Sequence, residues 1–388
     1  NHGRHRCKGE GLRPETARAL YGAELHFSSS RIDVLAGCRF AHFLQYGLRA
    51  QEREPAEFDS RFYGTFVHDV LEYIVQQTER EGGFAAVPRS RVQELAQERM
   101  EQNAQTLLET FPDSGRTGYL LRRTFDEETQ VVDELYDELS VSAFRPKFCE
   151  LEFSAHGALP GVAFAGERCR GVVEGFVDRV DVWQSGGRPY VRVVDYKTGK
   201  KSFDYTNVLH GRGLQMLLYL FALVRQGGHL LHGEPLPAGV LYFPARIERV
   251  SVRDRLAQAE IEKERRKQLR RSGVLLNSDP VLEAMEPCGG SPRFLPYTLD
   301  KEGRKTGDLA SFAQLAQLER FVFQTVAALG DELADGRIDP DPCIRDAKDS
   351  ACAFCPYSEV CAGHEQPRWL KKITAEEFWQ TLERREHG

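Results

Sequence analysis

Residues 175–181 read Gly-Phe-Val-Asp-Arg-Val-Asp, and residues 194–199 read Val-Asp-Tyr-Lys-Thr-Gly. The first segment alternates apolar and polar residues and the second follows a run of valines, which is typical of strands. A Ser-Gly-Gly turn at 185–187 lies between them, so we predict a hairpin. Because residues two apart on a strand point to the same face, Asp195 and Lys197 project together, and the neighbouring strand can bring Asp178 beside them.

These three side chains suit the hydrolysis of a phosphate ester. Two carboxylates on one face repel each other unless a divalent cation lies between them, and Mg²⁺ prefers a few carboxylates plus water. A lysine beside them can orient a water and offset charge that develops on a phosphodiester. An Asp-x-Lys alone usually marks a surface hairpin, but the valines before Asp195 indicate a buried strand, where charges must be paired or ligated. The role of Asp181 stays open between a second ligand and an ion pair with a nearby arginine.

Further motifs occur in order along the chain. They are Ser-Ser-Arg-Ile-Asp-x4-Cys at 29–38, Gly-x3-His at Gly64–His68, Gln-x3-Tyr at Gln215–Tyr219 and Cys-x2-Cys-x5-Cys at 352–361. Together with the hairpin, they resemble the RecB-like nucleases, a branch of the PD-(D/E)xK superfamily, and within it the AddB-type nuclease domains of helicase–nucleases. The resemblance covers about Phe27 to His364. It implies an α/β fold with a restriction-endonuclease-like core, in which helices flank a mixed central sheet, and a helical N-terminal part.

The resemblance also assigns ligands of a metal ion. A Mg²⁺ or Mn²⁺ ion would be held by the side chains of His68, Asp178 and Asp195 and by the backbone carbonyl of Tyr196. A neutral imidazole can serve as such a ligand, although a lone histidine on a helix is more often structural. Lys197 would then be the catalytic lysine.

Two more positions would border this site. Gln215 and Tyr219 lie one helical turn apart on one face, and the resemblance implies that they contact substrate or order the lysine and the water. Without it, a tyrosine packed in an apolar helix is an equally good interpretation. Glu150 or Glu152 would add an acidic group, and the pattern favours Glu150.

The cysteine cluster predicts a second metal centre. A Cys-x2-Cys pair, here Cys352 and Cys355, holds two thiolates close enough for one centre, and Cys361 is a third ligand. The residues alone leave the fourth open: Cys343 would complete a zinc-like knot, and Cys38 is the distant candidate. The resemblance favours Cys38 and a [4Fe–4S] cluster. Joining Cys38 to Cys352 closes a loop of about 315 residues, which constrains the unfolded chain by roughly 5–6 kcal/mol.

Composition narrows the class of protein. The chain has 388 residues, 41% of them hydrophobic, and a formal net charge of −6. This composition is ordinary for a globular protein and argues against one that coats nucleic acid over its whole surface. No apolar run approaches the roughly 20 residues that cross a bilayer, and the first thirty residues lack a signal-peptide core. We therefore predict a reducing, cytoplasmic compartment.

The organisation along the chain predicts one large nuclease domain. Residues 1–27 read as a linker or the tail of a preceding module, because they are polar and basic and begin with Asn rather than Met. The domain spans residues 28–365, with a helical part at 28–145, a catalytic core at 146–250 and a helical part with the cysteines at 251–365. Residues 366–388 form a C-terminal helix.

Contacts with nucleic acid are less specific in the sequence. A basic run at 262–271 could follow a phosphate backbone, but such a run is more often a solvated helix face. Phe203 and Tyr205, after the Asp-x-Lys strand, are candidates for base stacking. The chain lacks a Gly-x4-Gly-Lys-Ser/Thr motif, so we predict that it does not hydrolyse ATP.

We therefore expect a Mg²⁺-dependent DNA exonuclease, stapled by an iron–sulfur cluster, that acts in double-strand break repair and recombination. It would cut a single strand of DNA delivered by an AddA-like helicase–nuclease partner, and the resemblance implies the strand with the 5′ end. Three alternatives remain: a standalone RecB-like iron–sulfur exonuclease, a non-catalytic metal-stapled DNA-binding module, and a zinc protein.

Overall fold

The computed structural model describes residues 11–50, 60–110, 115–199, 202–247, 258–361 and 367–387. The helices are α1 (Pro14–Tyr21), α2 (Ser29–Gly37), α3 (Arg39–His42), α4 (Ser60–Arg80), α5 (Arg89–Thr110), α6 (Gly115–Val141), α7 (Tyr205–Leu209), α8 (Gln215–Gln226), α9 (Gly228–Leu231), α10 (Gln258–Gln268), α11 (Asp279–Met285), α12 (Phe312–Ala334) and α13 (Ala375–His387). A π-helical turn, Phe43–Gly47, follows α3.

The strands fall into one large sheet and two small ones. They are β1 (Leu25–Ser28), β2 (Arg145–Phe153), β3 (Val162–Ala165), β4 (Arg170–Ser185), β5 (Arg188–Lys197), β6 (Leu236–Pro244), β7 (Ser272–Leu276), β8 (Tyr297–Leu299), β9 (Lys305–Gly307), β10 (Leu309–Ala310), β11 (Cys343–Ile344) and β12 (Arg368–Trp369). Strands β8 and β9 pair with each other, as do β11 and β12.

The central sheet is built around β4. The first half of β4 pairs in parallel with β1 and antiparallel with β3, and its second half pairs antiparallel with β2 and β5. The sheet continues from β5 to β6 in parallel, then to β7 and β10. Gly186 and Gly187 connect β4 to β5 with φ values of +58° and +76°, the conformation that a two-residue hairpin turn requires. The mixed sheet and the hairpin confirm the prediction.

Helices flank this sheet, as predicted. Helix α4 packs on β2 and β4, α5 packs on α4, and α6 packs on α5. Helix α8 packs on β5 and β6, and α12 packs on α8. Residues 216–223 of α8 are all buried, because this helix lies between the sheet and α12. None of the helices in the described part of the chain combines the length and the apolar character needed to cross a bilayer.

The fold begins earlier than the sequence indicated. Residues 11–27, interpreted as part of a linker, contain α1, which packs on α12, and β1, which joins the central sheet. Leu25 and Phe27 are buried while His26 between them is exposed. This alternation is a strand signal, but four residues are too few to stand out in a basic segment. Residues 1–10 lie outside the described range.

Helix α12 begins at Phe312, because Leu309 and Ala310 pair with β7 and Ser311 caps the helix. One other interpretation needs correction. The basic run at 262–271 is only partly a helix face. Arg270, beyond the end of α10, donates to the carbonyls of Leu295 and Tyr297, and the next arginine is buried in an ion pair. These two cations therefore stabilise the fold.

Candidate active site

The β4–β5 hairpin brings Asp178, Asp195 and Lys197 together. The pair Arg179–Val194 is the last in the register of the two strands, so Asp178 lies opposite Asp195. The Lys197 ammonium makes an ion pair with the Asp195 carboxylate, as expected for residues two apart on one face. Asp178 Oδ2 accepts a hydrogen bond of 2.7 Å from the backbone N–H of Tyr196.

Helix α4 places His68 against the same strand ends. Its Nε2 lies 2.9 Å from the carbonyl oxygen of Tyr196, and its Nδ1 lies 3.6 Å from Asp178 Oδ2. The distance of 2.9 Å between Nε2 and the carbonyl oxygen fits a hydrogen bond, and it also fits two ligands of one metal ion. In the tautomer that donates from Nε2, the lone pair of Nδ1 faces the carboxylate.

Glu150, on β2, is the third member of a group of side chains that could hold one metal ion. The neighbouring pairs Cys149–Arg179 and Leu151–Val177 place it opposite Asp178, and its own backbone has a φ of +48°. Ligand atoms of His68, Glu150 and Asp178 all lie within 4.8 Å of one another. Glu152, the alternative in the sequence, instead accepts a hydrogen bond of 2.7 Å from Ser154.

The electrostatics of the site indicate a deficit of positive charge. Burial, then the nearby Asp195 charge, raise the pKa of Asp178 well above its usual range. Burial also lowers the pKa of His68, against the pull of Asp195, which favours the neutral imidazole. The pKa of Glu150 is raised by burial and by the charges of Glu72 and Asp195. Carboxylates gathered around a neutral imidazole are arranged as in a site for a divalent cation.

Glu72 was missed in the sequence. It lies four residues after His68 on α4, hence on the same helix face, and its charge acts on Glu150. The spacing His-x3-Glu could have identified it, because the resemblance already placed the histidine at the site.

The opposite side of the hairpin has a structural role. Asp181 accepts hydrogen bonds of 2.8 Å from both Arg179 Nε and Arg192 Nε, and all three side chains are buried. Arg179 also donates to the phenol oxygen of Tyr196 at 3.1 Å. Of the two roles left open for Asp181, the structure thus places it in ion pairs with arginines.

Gln215 and Tyr219 are not joined to the charged group. The Tyr219 hydroxyl donates to the carbonyl of Glu174 at 3.2 Å, and its ring stacks on Phe153 at 4.8 Å. Among the described residues, no hydrogen bond or ion pair links either side chain to Asp195 or Lys197. Tyr219 therefore packs against the strand that carries Asp178, and the half-buried Gln215 begins the same helix.

The packing of Tyr219 explains the glycine of the first motif. Gly175 has a φ of +154°, and a Cβ added there would lie 2.2 Å from the Tyr219 hydroxyl. We expect Gly175→Ala to lower the free energy of unfolding by about 2–4 kcal/mol, since it combines overpacking with an unfavourable backbone conformation. Denaturant unfolding measures this change.

A double variant and a control isolate the contact. Tyr219→Phe removes the oxygen that the new methyl group would meet, so it should restore part of the stability lost in Gly175→Ala. Gly186→Ala, at φ +58° with no atom within 4 Å of the added Cβ, should cost only about 1–2 kcal/mol. Equal losses for Gly175→Ala and Gly186→Ala would contradict the proposed clash.

The four predicted cluster ligands line one cavity. Cys38, Cys352, Cys355 and Cys361 surround a cavity of about 180 Å³ together with residues of the loop after α12. Cys343 is buried elsewhere, where its Sγ donates to the carbonyl of Ala36. No three of the cysteine Sγ atoms, all of which belong to described residues apart from Cys7, lie within 4.8 Å of one another.

Comparisons with known proteins identify the family. A protein of Moorella thermoacetica, named as one subunit of an ATP-dependent helicase/deoxyribonuclease, is 34% identical over 366 residues, which cover 93% of this chain and 32% of that protein. Proteins of the same name from Thermoanaerobacter sp. and Clostridium perfringens are 29% and 28% identical over 381 and 395 residues, covering 95% and 96% of this chain and 33% and 34% of those proteins. The chain spans about a third of the length of these curated relatives. The sequence model of the PD-(D/E)XK nuclease superfamily matches residues 26–362, which include the whole charged group on β2, β4, β5 and α4, and the chain therefore belongs to this superfamily of nucleases.

Proposed function

We propose that this chain is a Mg²⁺-dependent DNA exonuclease that hydrolyses phosphodiester bonds of a single strand. The proposal rests on one observation: five side chains lie together at one end of the β4–β5 hairpin. They are Asp178, Asp195, Lys197, His68 and Glu150. Family membership supports the nuclease activity.

The donors fit a hard divalent cation. Asp178 and Glu150 offer carboxylate oxygens, Tyr196 a carbonyl oxygen and His68 an imidazole nitrogen, which are ligands that Mg²⁺ and Mn²⁺ accept. When bound, such an ion acts as a Lewis acid on a phosphoryl oxygen and lowers the pKa of a bound water. The raised pKa of Asp178 supports this assignment, because it indicates two carboxylates without sufficient positive charge.

Asp178, Asp195 and Lys197 would have different roles in the reaction. The Tyr196 N–H holds Asp178 in one orientation, and its carboxylate would be a ligand of the ion. Asp195 fixes the Lys197 ammonium beside it. From there Lys197 can orient the attacking water and offset the negative charge that develops on the phosphodiester. Gln215 and Tyr219 support this arrangement through the packing of α8 on the sheet.

The names of the relatives indicate the complex in which this nuclease would act. Those proteins are named as subunits of an ATP-dependent helicase/deoxyribonuclease, and this chain corresponds to about a third of their length. We propose that residues 28–365, together with α1 and β1, form the nuclease domain of such a subunit, and that an AddA-like partner supplies the unwound strand in the cytoplasm. Its role would be double-strand break repair, with the 5′-ended strand as substrate.

The test is cleavage of labelled single-stranded DNA by the intact protein. With Mg²⁺ we expect stepwise shortening from one end, and with excess chelator we expect none. Comparing 5′-labelled and 3′-labelled strands gives the polarity. Cleavage that continues at full rate in chelator would exclude the metal-dependent mechanism, and cuts confined to internal positions would exclude an exonuclease.

We further propose that Cys38, Cys352, Cys355 and Cys361 bind a [4Fe–4S] cluster. They share one cavity, whereas Cys343 does not line it. The cavity of about 180 Å³ that they line offers room for an inorganic cluster. Its role would be to staple the start of the domain to its end.

Two matched serine variants test the ligand set. In anaerobically purified protein, Cys38→Ser should lower the iron and sulfide content sharply and reduce the midpoint of thermal unfolding. Cys343→Ser should keep both, because this thiol only donates to the Ala36 carbonyl. If zinc is found in place of iron, or if Cys343→Ser loses the metal and Cys38→Ser keeps it, the assignment fails.

A further inference from the structure

An open groove shares residues with the cysteine cavity and lies beside the candidate active site. Its volume is about 310 Å³, and we call it the aromatic groove after the four rings that line it, Phe203, Tyr242, Phe354 and Tyr357. The centroid of one of these rings, that of Tyr242, lies 5.6 Å from Lys197 Nζ. Cys38 and Cys355 line both the groove and the cysteine cavity. The groove is therefore adjacent to the atoms proposed to act on the scissile phosphate.

Phe354 presents an aromatic face that the fold does not use. Its side chain is 96% exposed, the highest fraction among the large hydrophobic side chains of the described residues. Phe203 is half-buried and packs edge-on against Tyr205 at 4.9 Å. Tyr205, the other ring considered for stacking, is itself buried among Phe378 and Trp379. Phe354 and the half-buried Phe203 thus offer ring surface to a planar ligand in this groove.

The polar atoms of the groove favour a neutral ligand with hydrogen-bonding edges. Asn207 Oδ1 and Arg212 Nη1 are shielded from solvent and have no hydrogen-bond partner among the described residues. Arg212 Nη1 lies 3.8 Å from Asp349 Oδ1, an ion pair that offsets the charge of its guanidinium group. Asp33 accepts from the N–H of Gly213 at 2.7 Å, and Asp204 accepts from Thr206 and Arg345. Two carboxylates in the lining disfavour a phosphate, while an acceptor and a donor without hydrogen-bond partners match the edge of a base.

We propose that the aromatic groove binds an unstacked base of single-stranded DNA, close to the phosphodiester that Lys197 faces. The inference rests on the proposed nuclease function and names the part of the substrate that this groove takes. Base stacking on Phe354 would tolerate any sequence, because every base has a π-face. It would hold the strand in place while its phosphate lies at the carboxylates.

Strands with a single abasic position test this proposal. Binding of labelled single strands to the intact protein is measured in chelator, so that the DNA is not cut, with the abasic position moved one nucleotide at a time from the end. We expect one position, or two adjacent ones, at which loss of the base weakens binding by about 5- to 150-fold, the range for stacking on one aromatic ring.

Variants of Phe354 assign that position to the groove. Phe354→Leu should weaken binding of the complete strand by the same factor and show no further loss with the abasic strand, whereas Phe354→Tyr should behave as the wild type. Trp369→Ala, at an exposed aromatic residue outside the groove, should keep both the affinity and the abasic effect. Iron and sulfide content show whether Phe354→Leu keeps its cysteine-bound metal, and if it does not, Phe203→Leu replaces it in the same test.

The outcomes separate this proposal from the proposed function. An abasic effect that persists unchanged in the leucine variant, or no abasic effect at any position, overturns the base site. If Mg²⁺-dependent cleavage is nevertheless observed, the nuclease assignment stands without it. If the wild type never cleaves, the nuclease assignment fails, and the abasic scan still reports whether the groove takes a base.

Discussion

Replacing Lys197 by methionine should lower the rate of DNA cleavage by about 10²–10³-fold, the loss typical when a positioned donor to a developing charge is removed. Methionine has nearly the length of lysine but no charge, so packing against Tyr242 can persist while the ammonium is lost. The substitution removes the positive charge beside Asp195. Binding of Mg²⁺ should therefore not weaken, and the defect should appear in the chemical step. Single-turnover cleavage of labelled single-stranded DNA at saturating Mg²⁺ measures it.

A lysine in a comparable ion pair provides the control. Lys305 pairs with Asp279 at the surface, on strand β9, far in sequence from the hairpin. Lys305→Met should cleave at the wild-type rate. If Lys197→Met cleaves within about threefold of the wild type, or if its only defect is a higher requirement for Mg²⁺, Lys197 is not the catalytic lysine.

The hairpin could be predicted from the sequence because the strand pattern and the turn lie within one short segment of the chain. The period of a strand alone places Asp195 and Lys197 on one face, and their ion pair has that geometry. Glu150 was harder to choose over Glu152, because strand alternation gives both the same face. What separates them is the backbone of β2, which takes a φ of +48° at Glu150, and this depends on the pairing of β2 with β4.

Long-range relations were available only through the resemblance. Cys38 and Cys352 are separated by most of the chain, and no local pattern links them, yet they line the same cavity. Packing was one of two interpretations of Tyr219, but its partner Gly175 could not be predicted, because it lies on another element. Packing partners of this kind become visible only when α8 is placed on the sheet.

The buried cluster of charged side chains next to the hairpin also could not be predicted from the sequence. Glu138 of α6 accepts hydrogen bonds of 2.8 Å from Arg271 and 3.0 Å from Arg192, and it lies 3.7 Å from Arg179. All these side chains are buried. Burial alone would raise the pKa of Glu138, but the three guanidinium groups outweigh it and lower this pKa to about 2. The carboxylate thus joins the helical layer to the strands that carry the candidate active site.

Glu138→Gln should lower the free energy of unfolding by about 3–5 kcal/mol, because it leaves buried arginines without the charge that compensates them. The exposed Glu94, which pairs with Arg91 on α5, provides the matched control, and Glu94→Gln should cost less than about 1 kcal/mol. Denaturant unfolding at neutral pH measures both. Equal losses for the two variants would mean that the buried cluster contributes no more than a surface ion pair.

The pH dependence of stability gives a second, independent signature of the same carboxylate. Its pKa is about 2 in the folded protein and about 4.3 in an unfolded chain, so its contribution is complete above the unfolded value and is lost as the pH falls toward 2. The wild type should therefore lose stability more steeply than Glu138→Gln between about pH 4.5 and pH 2. If the free energy of unfolding falls equally steeply with pH in the two proteins, Glu138 is not held ionised by its arginines.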